Sequence, residues 1–318
     1  MKGKSKNWLN MISDHAGLVA LVVLIFVGII FTDSFATGNN ISNLVRQICI
    51  NGILASGFTA VVISDGFDFS VGNILSACAV VIIPMLNVTG NIPLILLVSI
   101  AIGVAFGAIN GLTGKIIKSG PGDAYLITLA TSFLAQGFAY IYSKGDNTFV
   151  DDSLVAYRNI ARGEILGIPN TLLCMAAMML LTQFLLRKTR TGRALYMVGS
   201  NKVATYASGI NAHNIRTFAY VYSGFCAAIA AIVMTARTGS AAPAMGMGYE
   251  GDAAIATFIG GCAAGSYKSS MVRTLVGVVV VGLITNIMNL MNINSIIQSI
   301  VKGIILIIVL CAQQMKKE

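Results

Sequence analysis

The chain has 318 residues, of which 56% are hydrophobic and only 10% are charged, and its mean hydropathy is +0.81. Soluble domains carry about 25% charged residues, so this composition excludes a water-soluble globular protein and indicates one polytopic membrane domain over residues 1–318. The net charge of +9 does not indicate nucleic-acid binding, because the basic residues lie at the ends of apolar segments and form no single soluble patch.

Ten apolar segments follow one another along the chain. A hydrocarbon core of about 30 Å needs about 20 residues of helix, and strands of alternating polarity are absent, so we predict an all-α fold of about ten transmembrane helices. The predicted helices are 16–32, 41–63, 70–87, 92–117, 123–142, 168–186, 214–236, 251–266, 271–291 and 294–312.

The N-terminal segment allows two interpretations. Lys2, Lys4 and Lys6 precede the apolar run 17–31, and the sequence at 34–36 resembles a cleavage site, as in a secretory signal peptide. A polar gap at 13–15 separates these lysines from the apolar run, which favours an uncleaved first helix.

The charges at the helix ends predict the orientation. Ten spans place both termini on one side, together with the basic loop 187–213, whereas Asp33 and the acidic residues of the loop 143–167 lie on the other side. Because positive charge accumulates on the cytoplasmic side of membrane proteins, we predict an N-in, C-in topology in which 143–167 is periplasmic and 187–213 is cytoplasmic.

Small residues recur at helical spacing in two predicted helices. Gly103, Gly107 and Gly111 form two GxxxG steps, and Gly261 and Gly265 form another. Such spacing lets helix backbones approach closely in lipid, either within one chain or at a subunit interface or moving seam. The five predicted helices on each side of the loop 143–167 would also fit a repeat architecture, although no residue-level similarity is visible.

A polar, glycine-containing break at 64–73 separates two apolar runs, and it contains Asp68, Ser70 and Asn73. Carboxylates close to hydrocarbon are costly, so the break is a candidate for the solute pathway. The alternative is a cytoplasmic turn in which Asp68 or Ser70 caps the next helix.

Uncharged polar side chains also occur inside the predicted spans. They suit a neutral polyhydroxylated solute, but they equally serve as hydrogen-bonding contacts between helices. These residues are Asn110, Thr128, Thr131, Gln136, Asn286 and Asn289.

The loop 187–213 is the one long basic segment in the second half of the chain. Ser200 can cap a short helix over 201–208 that ends at Gly209, and such a helix between two spans could dock on a cytoplasmic partner. The alternative is a solvated loop whose arginines meet lipid headgroups. The residues that close the preceding helix are Arg187, Lys188, Arg190 and Arg193.

The segment 237–253 is irregular, because it contains Pro243, Gly246 and Gly248. After it, Tyr249, Glu250 and Asp252 lie at the start of a predicted helix, where the helix dipole favours acidic groups. They either cap this helix or form a gate or a contact with a periplasmic partner.

The sequence motifs of several common catalytic and ligand-binding sites are absent. The chain has no phosphate-binding loop of the G-x-x-x-x-G-K-[ST] type, no HExxH and no GxSxG, so we expect no catalytic site and no ATP site of that kind. The six cysteines are dispersed and only two histidines occur, so we expect no disulfide, metal site or cofactor. Intramembrane acids, typical of ion-coupled carriers, are sparse.

From about residue 40 to 312 the chain resembles the permease subunits of bacterial ABC importers for sugars of the ribose, xylose and galactose type, a broad family that includes branched-chain amino-acid and nucleoside permeases. The segments that carry this resemblance are Gly66–Asn73 (family pattern G-I-D-L-S-V-G-S), Leu126–Gly137, Thr191–Ile210 (G-R-x-x-Y-A-I-G-G-N-x-x-A-A-x-x-S-G-I), Gly239–Asp252 and Ile297–Leu306 (Q-x-x-V-K-G).

The resemblance implies a type II ABC importer permease arrangement in the bacterial inner membrane. Two permease subunits, identical or homologous, would form the solute pathway, surrounded by membrane lipid. A periplasmic or lipid-anchored binding protein would deliver the solute. A separate ATPase, which holds ATP and Mg²⁺, would dock at Asn201–Ser208. The residues expected to couple to it are Arg193, Asn201, Lys202, Thr205, Ser208 and Gly209.

The chain departs from the family pattern at three places. Lys202 replaces a usual acid, Gly122–Tyr125 replaces N-P-F, and Ala264–Ser270 replaces S-L-F-G-G-x-G. These departures are typical of a divergent member or of one half of a heterodimeric permease.

We therefore predict a permease subunit that imports a monosaccharide or related polyol by alternating access. The alternatives are a nucleoside or branched-chain amino-acid importer permease, a self-contained secondary carrier or channel, and a structural or receptor membrane protein.

Overall fold

A computed structural model describes residues 16–315, so the terminal lysines used above for the orientation, Lys2, Lys4, Lys6, Lys316 and Lys317, lie outside the described residues. The helices are α1 Ala16–Phe31, α2 Gly38–Ile63, α3 Val71–Thr89, α4 Ile92–Ile116, α5 Pro121–Ser143, α6 Val155–Arg162, α7 Asn170–Lys188, α8 Arg190–Ser200, α9 Lys202–Ala207, α10 Ala212–Thr238, α11 Tyr249–Ile259, α12 Met271–Leu290 and α13 Ser295–Met315. The strands are β1 Thr148–Phe149, β2 Glu164–Ile165, β3 Ile168–Pro169 and β4 Ser240–Ala241.

Seven helices within the described part of the chain are long and apolar enough to cross a membrane, namely α2, α3, α4, α5, α7, α10 and α12. The apolar stretches of α1 and α13 are shorter. The chain is therefore a polytopic helical membrane protein. The only strands among residues 16–315 are two antiparallel pairs, β1 with β4 and β2 with β3.

Helix ends coincide with residues that satisfy free backbone groups. Asn91 accepts a hydrogen bond from the Leu94 amide at the start of α4, and Asn211 does the same for Asn214 at the start of α10. Helices α3 and α10 end at Gly90 and Gly239, which adopt the left-handed conformation that glycine tolerates best. These local signals explain why the predicted and observed limits of the long helices agree to within a few residues.

The GxxxG steps of α4 are contacts within the chain. A Cβ atom added to Gly103 would clash with the Gly224 carbonyl of α10, and one added to Gly107 would clash with the Tyr220 carbonyl. Gly111 packs against Thr217 in the same way. Of the two alternatives for these glycines, the structure shows close packing of α4 on α10.

The predicted helix 251–266 is wrong in length. Helix α11 ends at Ile259, and its 11 residues span only about 16 Å. Gly261 and Gly265 have φ angles of 78° and 60°, so they lie in turns and form no helical GxxxG step. The Gly265 amide instead donates to the Ile63 carbonyl at 2.9 Å, which packs the loop 260–270 against the end of α2.

The loop 143–167 and the loop 187–213 lie at opposite ends of the helix bundle. Arg46, near the start of α2, forms a 2.8 Å ion pair with Glu164 at one end. At the other end, beyond the last turn of α2, Asp65 lies 3.7 Å from Lys202. The end of the bundle that holds the loop 143–167 also contains α6, a short helix that was not predicted because only eight residues form it.

Candidate docking helix, helix break and membrane cavity

The break between α2 and α3 contains a buried network of predicted residues. Asp68 is fully buried, and its Oδ1 atom accepts hydrogen bonds from the Ser70 amide at 3.0 Å and from Ser70 Oγ at 2.5 Å. Asn110 of α4 donates from Nδ2 to Ser70 Oγ at 2.8 Å. Asp68 thus shapes the turn before α3, and Ser70 is the N-cap residue without a side-chain cap bond of its own.

The same break is attached to α5 and α10. Thr128 Oγ1 accepts from the Phe69 amide at 3.2 Å and lies 3.3 Å from the Phe67 carbonyl, to which Tyr220 also donates at 3.3 Å. The Phe67 and Phe69 rings stack at 4.7 Å between centroids. A displacement of this segment would therefore change the contacts of α3, α5 and α10 at the same time.

Three further predicted pathway residues lie along α3 and α5. Asn73 donates from Nδ2 to Ser132 Oγ at 2.8 Å, and Thr131 is buried. Gln136 is half-buried, and its Nε2 atom lies 3.5 Å from the sulfur of Met247. Of these residues, Asn73 links α3 to α5.

Asn286 lies on α12 and exchanges two hydrogen bonds with Asn40 of α2, at 2.8 and 3.0 Å. Both side chains are buried. Because their amide donors and acceptors are used by each other, the pair links two helices.

We expect Asn286→Ala to lower the thermal stability of the purified protein, because it leaves the buried Asn40 Oδ1 without its donor, at a cost of about 1–3 kcal/mol. The transport rate per purified complex should change little. Asn40→Ala should have the same effect, and the double variant should be no less stable than either single one. Slower transport at unchanged melting temperature would instead place Asn286 in the pathway.

The basic loop contains two helices where one was predicted. Arg190 and Arg193 do not close the preceding span; they belong to α8, which continues to Ser200. The cap of the short helix α9 is Asn201, whose Oδ1 accepts from the Ala204 amide at 2.9 Å, and not Ser200. At its end, Gly209 has a φ angle of 73°.

Helix α9 presents apolar side chains away from the bundle. Val203 is 80% exposed and Tyr206 is 85% exposed, whereas Thr205 is fully buried and bonds the Asn201 carbonyl at 2.7 Å. Ser208 is exposed, and its hydroxyl donates to the Ala204 carbonyl. The sequence analysis missed Val203 and Tyr206, although two apolar residues three positions apart in a polar loop are a visible signal.

The start of α9 contacts the break between α2 and α3 through Asp65. Lys202 Nζ lies 3.7 Å from Asp65 Oδ2, and the buried Arg216 of α10 lies 3.4 Å from the same oxygen. Arg216 also donates to the Ser64 carbonyl at 3.2 Å and to the Ser119 carbonyl at 3.4 Å. One arginine therefore joins α10 to the end of α2 and the start of α5.

Helices α7 and α8 both contact the loop 260–270. Arg187, at the end of α7, donates to the Tyr267 and Ser269 carbonyls at 2.9 and 3.1 Å, and its guanidinium lies 4.4 Å from the centre of the Tyr267 ring. Tyr196 donates to the Ser269 carbonyl at 2.7 Å, and burial raises the pKa of this phenol, which keeps it a donor. Arg193 is exposed on α8.

A cavity of about 360 Å³ lies among α2, α11, α12 and α13. Tyr249, Glu250 and Asp252 all line it. Glu250 Oε1 accepts from the amide of Gly248, the N-cap residue of α11, at 3.1 Å. Asp252 instead accepts from Lys302 of α13 at 2.9 Å. The sequence analysis gave Lys302 no role, although a lysine within the apolar run 296–311 is a signal for one.

A comparison with protein families shows which family the chain belongs to. Residues 40–310, from the start of α2 to the last turns of α13, match the family described as branched-chain amino acid transport system / permease component. The chain belongs to this family. It is thus a transport subunit and not an enzyme, and it is a multi-pass protein of the inner membrane.

Curated relatives cover nearly the whole chain. The ribose import permease RbsC of Haemophilus influenzae is 32% identical over 98% of this chain and 97% of its own length. RbsC of Bacillus subtilis is 33% identical over 94% and 92%. The L-arabinose permease AraH of Escherichia coli is 28% identical over 96% and 92%. A comparison with solved structures gave no match.

Proposed function

We propose that this permease subunit imports a monosaccharide or related polyol in an ATP-driven, binding-protein-dependent complex. The observation that carries the proposal is the similarity, over nearly full length, to permeases named for ribose and L-arabinose. The polar side chains around the cavity suit a hydroxyl-rich solute.

The proposed topology has ten membrane segments, α1 to α5, α7 and α10 to α13, with both termini in the cytoplasm. The placement of loops 143–167 and 187–213 at opposite ends of the bundle supports it. Helix α11 then begins part-way across the membrane, where the Gly246 amide donates to Ser76 of α3, and it ends at the cytoplasmic end, where the loop 260–270 packs on Ile63.

In the proposed mechanism, α9 docks in a groove of a cytoplasmic ATPase, and a second permease subunit completes the pathway. Closure of the ATPases on ATP moves α9, and the break at 64–70 passes this movement to α3, α5 and α10 through Asp65, Phe67 and Phe69. The exposed Val203 and Tyr206 on α9 support docking, because they are apolar and face away from the bundle.

The test is purification of the chain from its native membrane in mild detergent, followed by reconstitution in liposomes. We expect a stoichiometric ATPase to co-purify, and we expect uptake of a radiolabelled pentose to require ATP and a solute-binding protein. Uptake driven by an ion gradient, by a chain that purifies alone, would indicate a secondary carrier. Competition by leucine or a nucleoside, but not by sugars, would indicate another branch of the family.

A further inference from the structure

The cavity among α2, α11, α12 and α13 has a polar side and an apolar side. Asp252, Lys302 and Ser299 form part of the polar side, and Phe69 and Tyr249 contribute aromatic rings. Its volume of about 360 Å³ lies within the range of about 300–1,000 Å³ that is common for small-molecule sites. The cavity thus has the size and the mixed lining of a site for one small molecule.

The charges of the lining favour a neutral molecule. The Lys302 ammonium is paired with Asp252 at 2.9 Å, so it is not free to balance an anionic ligand, and Glu250 adds a second carboxyl group to the wall. No group of three or more metal-ligating side chains occurs among residues 16–315, so the lining does not match a metal site. Anionic solutes and metal ions are therefore disfavoured.

The hydrogen-bonding groups favour hydroxyls. Asn51 Oδ1, Glu250 Oε2 and Asp252 Oδ1 are buried without a hydrogen-bond partner among the described residues, and all three residues line this cavity. An ammonium carries three donors, of which the bond to Asp252 uses one. A hydroxyl both donates and accepts, so adjacent hydroxyls can bond Lys302 and a neighbouring acceptor together. An apolar solute would leave these groups unpaired.

We propose that this cavity is a binding site for a neutral polyhydroxylated solute, that Lys302 and Asp252 anchor its hydroxyls, and that Tyr249 and Phe69 pack against its C–H face. The permease then contributes solute recognition of its own, in addition to any binding protein. This inference rests on the proposed function and deepens it.

The test measures whether solute protects a cysteine in the cavity from maleimide. The background is the full-length complex with Cys174→Ser and Cys311→Ser, which leaves the described cysteines that are buried. Ser299→Cys places the probe on the cavity wall, and Ser295→Cys, one turn earlier on α13, also exposed and not part of the lining, is the matched control. Millimolar ribose, inositol or glucuronate is added before the reagent.

We expect ribose and inositol to slow labelling at position 299 several-fold, glucuronate to have little effect, and position 295 to be insensitive. Lys302→Met should raise the ribose concentration for half-protection roughly tenfold, as for loss of one hydrogen bond from a charged donor. Asp252→Asn, which keeps an acceptor, should raise it less and serves if Lys302→Met does not fold.

Failure of the inference is distinguishable from failure of the proposed function. A complex that imports ribose with ATP, yet shows no protection at position 299, would overturn the cavity site alone. Stronger protection by glucuronate would overturn the assignment to neutral solutes. A complex that imports no sugar at all would overturn the proposed function.

Discussion

Replacing Gly107 with leucine is expected to abolish assembly of the permease. A Cβ atom at this position meets the Tyr220 carbonyl and lies 2.9 Å from the Val221 Cα atom, so the clash is with the α10 backbone, which cannot turn away like a side chain. The helices α4 and α10 must separate, and the contacts of Gly103 and Gly111 are lost with them. The cost is several kcal/mol, comparable with a total stability of about 5–15 kcal/mol.

The measurement is the amount of monodisperse protein after detergent extraction and size-exclusion chromatography. Gly137→Leu is the matched control, because Gly137 is also inside a helix, α5, and no atom lies within 4 Å of its ideal Cβ position. This control should yield protein like the parent. A monodisperse Gly107→Leu variant would show that α4 and α10 are not packed as described.

The double variant Val203→Asp, Tyr206→Asp is expected to lose the ATPase and at least nine-tenths of ATP-dependent uptake. A few residues usually contribute most of the binding energy of an interface, about 2 kcal/mol or more each, and tyrosine is common among them. Buried carboxylates would in addition lose hydration without a partner. Co-purification of the ATPase and uptake in liposomes are the measurements. Leu166→Asp, at an exposed apolar residue in the loop 143–167 at the opposite end of the bundle, is the control for co-purification.

Lys202 can act on the ATPase directly or through Asp65. Charge reversal in Lys202→Asp should reduce uptake and coupled ATPase activity in both cases, with normal membrane insertion. Asp65→Asn removes the charge that Lys202 faces at 3.7 Å and keeps an acceptor oxygen for Arg216. If Asp65 transmits the movement of α9, Lys202→Asp should cost less coupling in the Asp65→Asn background than in the parent. An equal loss of coupling in both backgrounds would assign Lys202 to the ATPase interface.

The long helices were predictable because each depends on a continuous apolar run and on capping residues next to it. Prediction was wrong where a turn lies inside an apolar stretch. Gly260 and Gly261 end α11 early, yet the residues on both sides are apolar, so composition alone extended the helix to 266. Likewise, α8 was missed because its residues are mixed in polarity and its packing on the loop 260–270 is what stabilises it.

The candidate site was predictable only in part. The polar break, the basic loop 187–213 and the acids at the start of α11 stand out because polar residues are costly near hydrocarbon. Their partners do not stand out, since Asp252 pairs with Lys302 across 50 residues and Asn40 with Asn286 across 246. No local pattern encodes such pairs.

The sequence by itself determined the membrane class, the order of the helices, the family and the approximate position of the short helix α9, because these depend on local composition, caps and motifs. Only the tertiary structure decided that the glycines of α4 pack on α10, that Asp65 joins α9 to α10, and that Lys302 enters the cavity beside Asp252. These features depend on which helices are neighbours, and that choice follows from side-chain packing over the whole bundle.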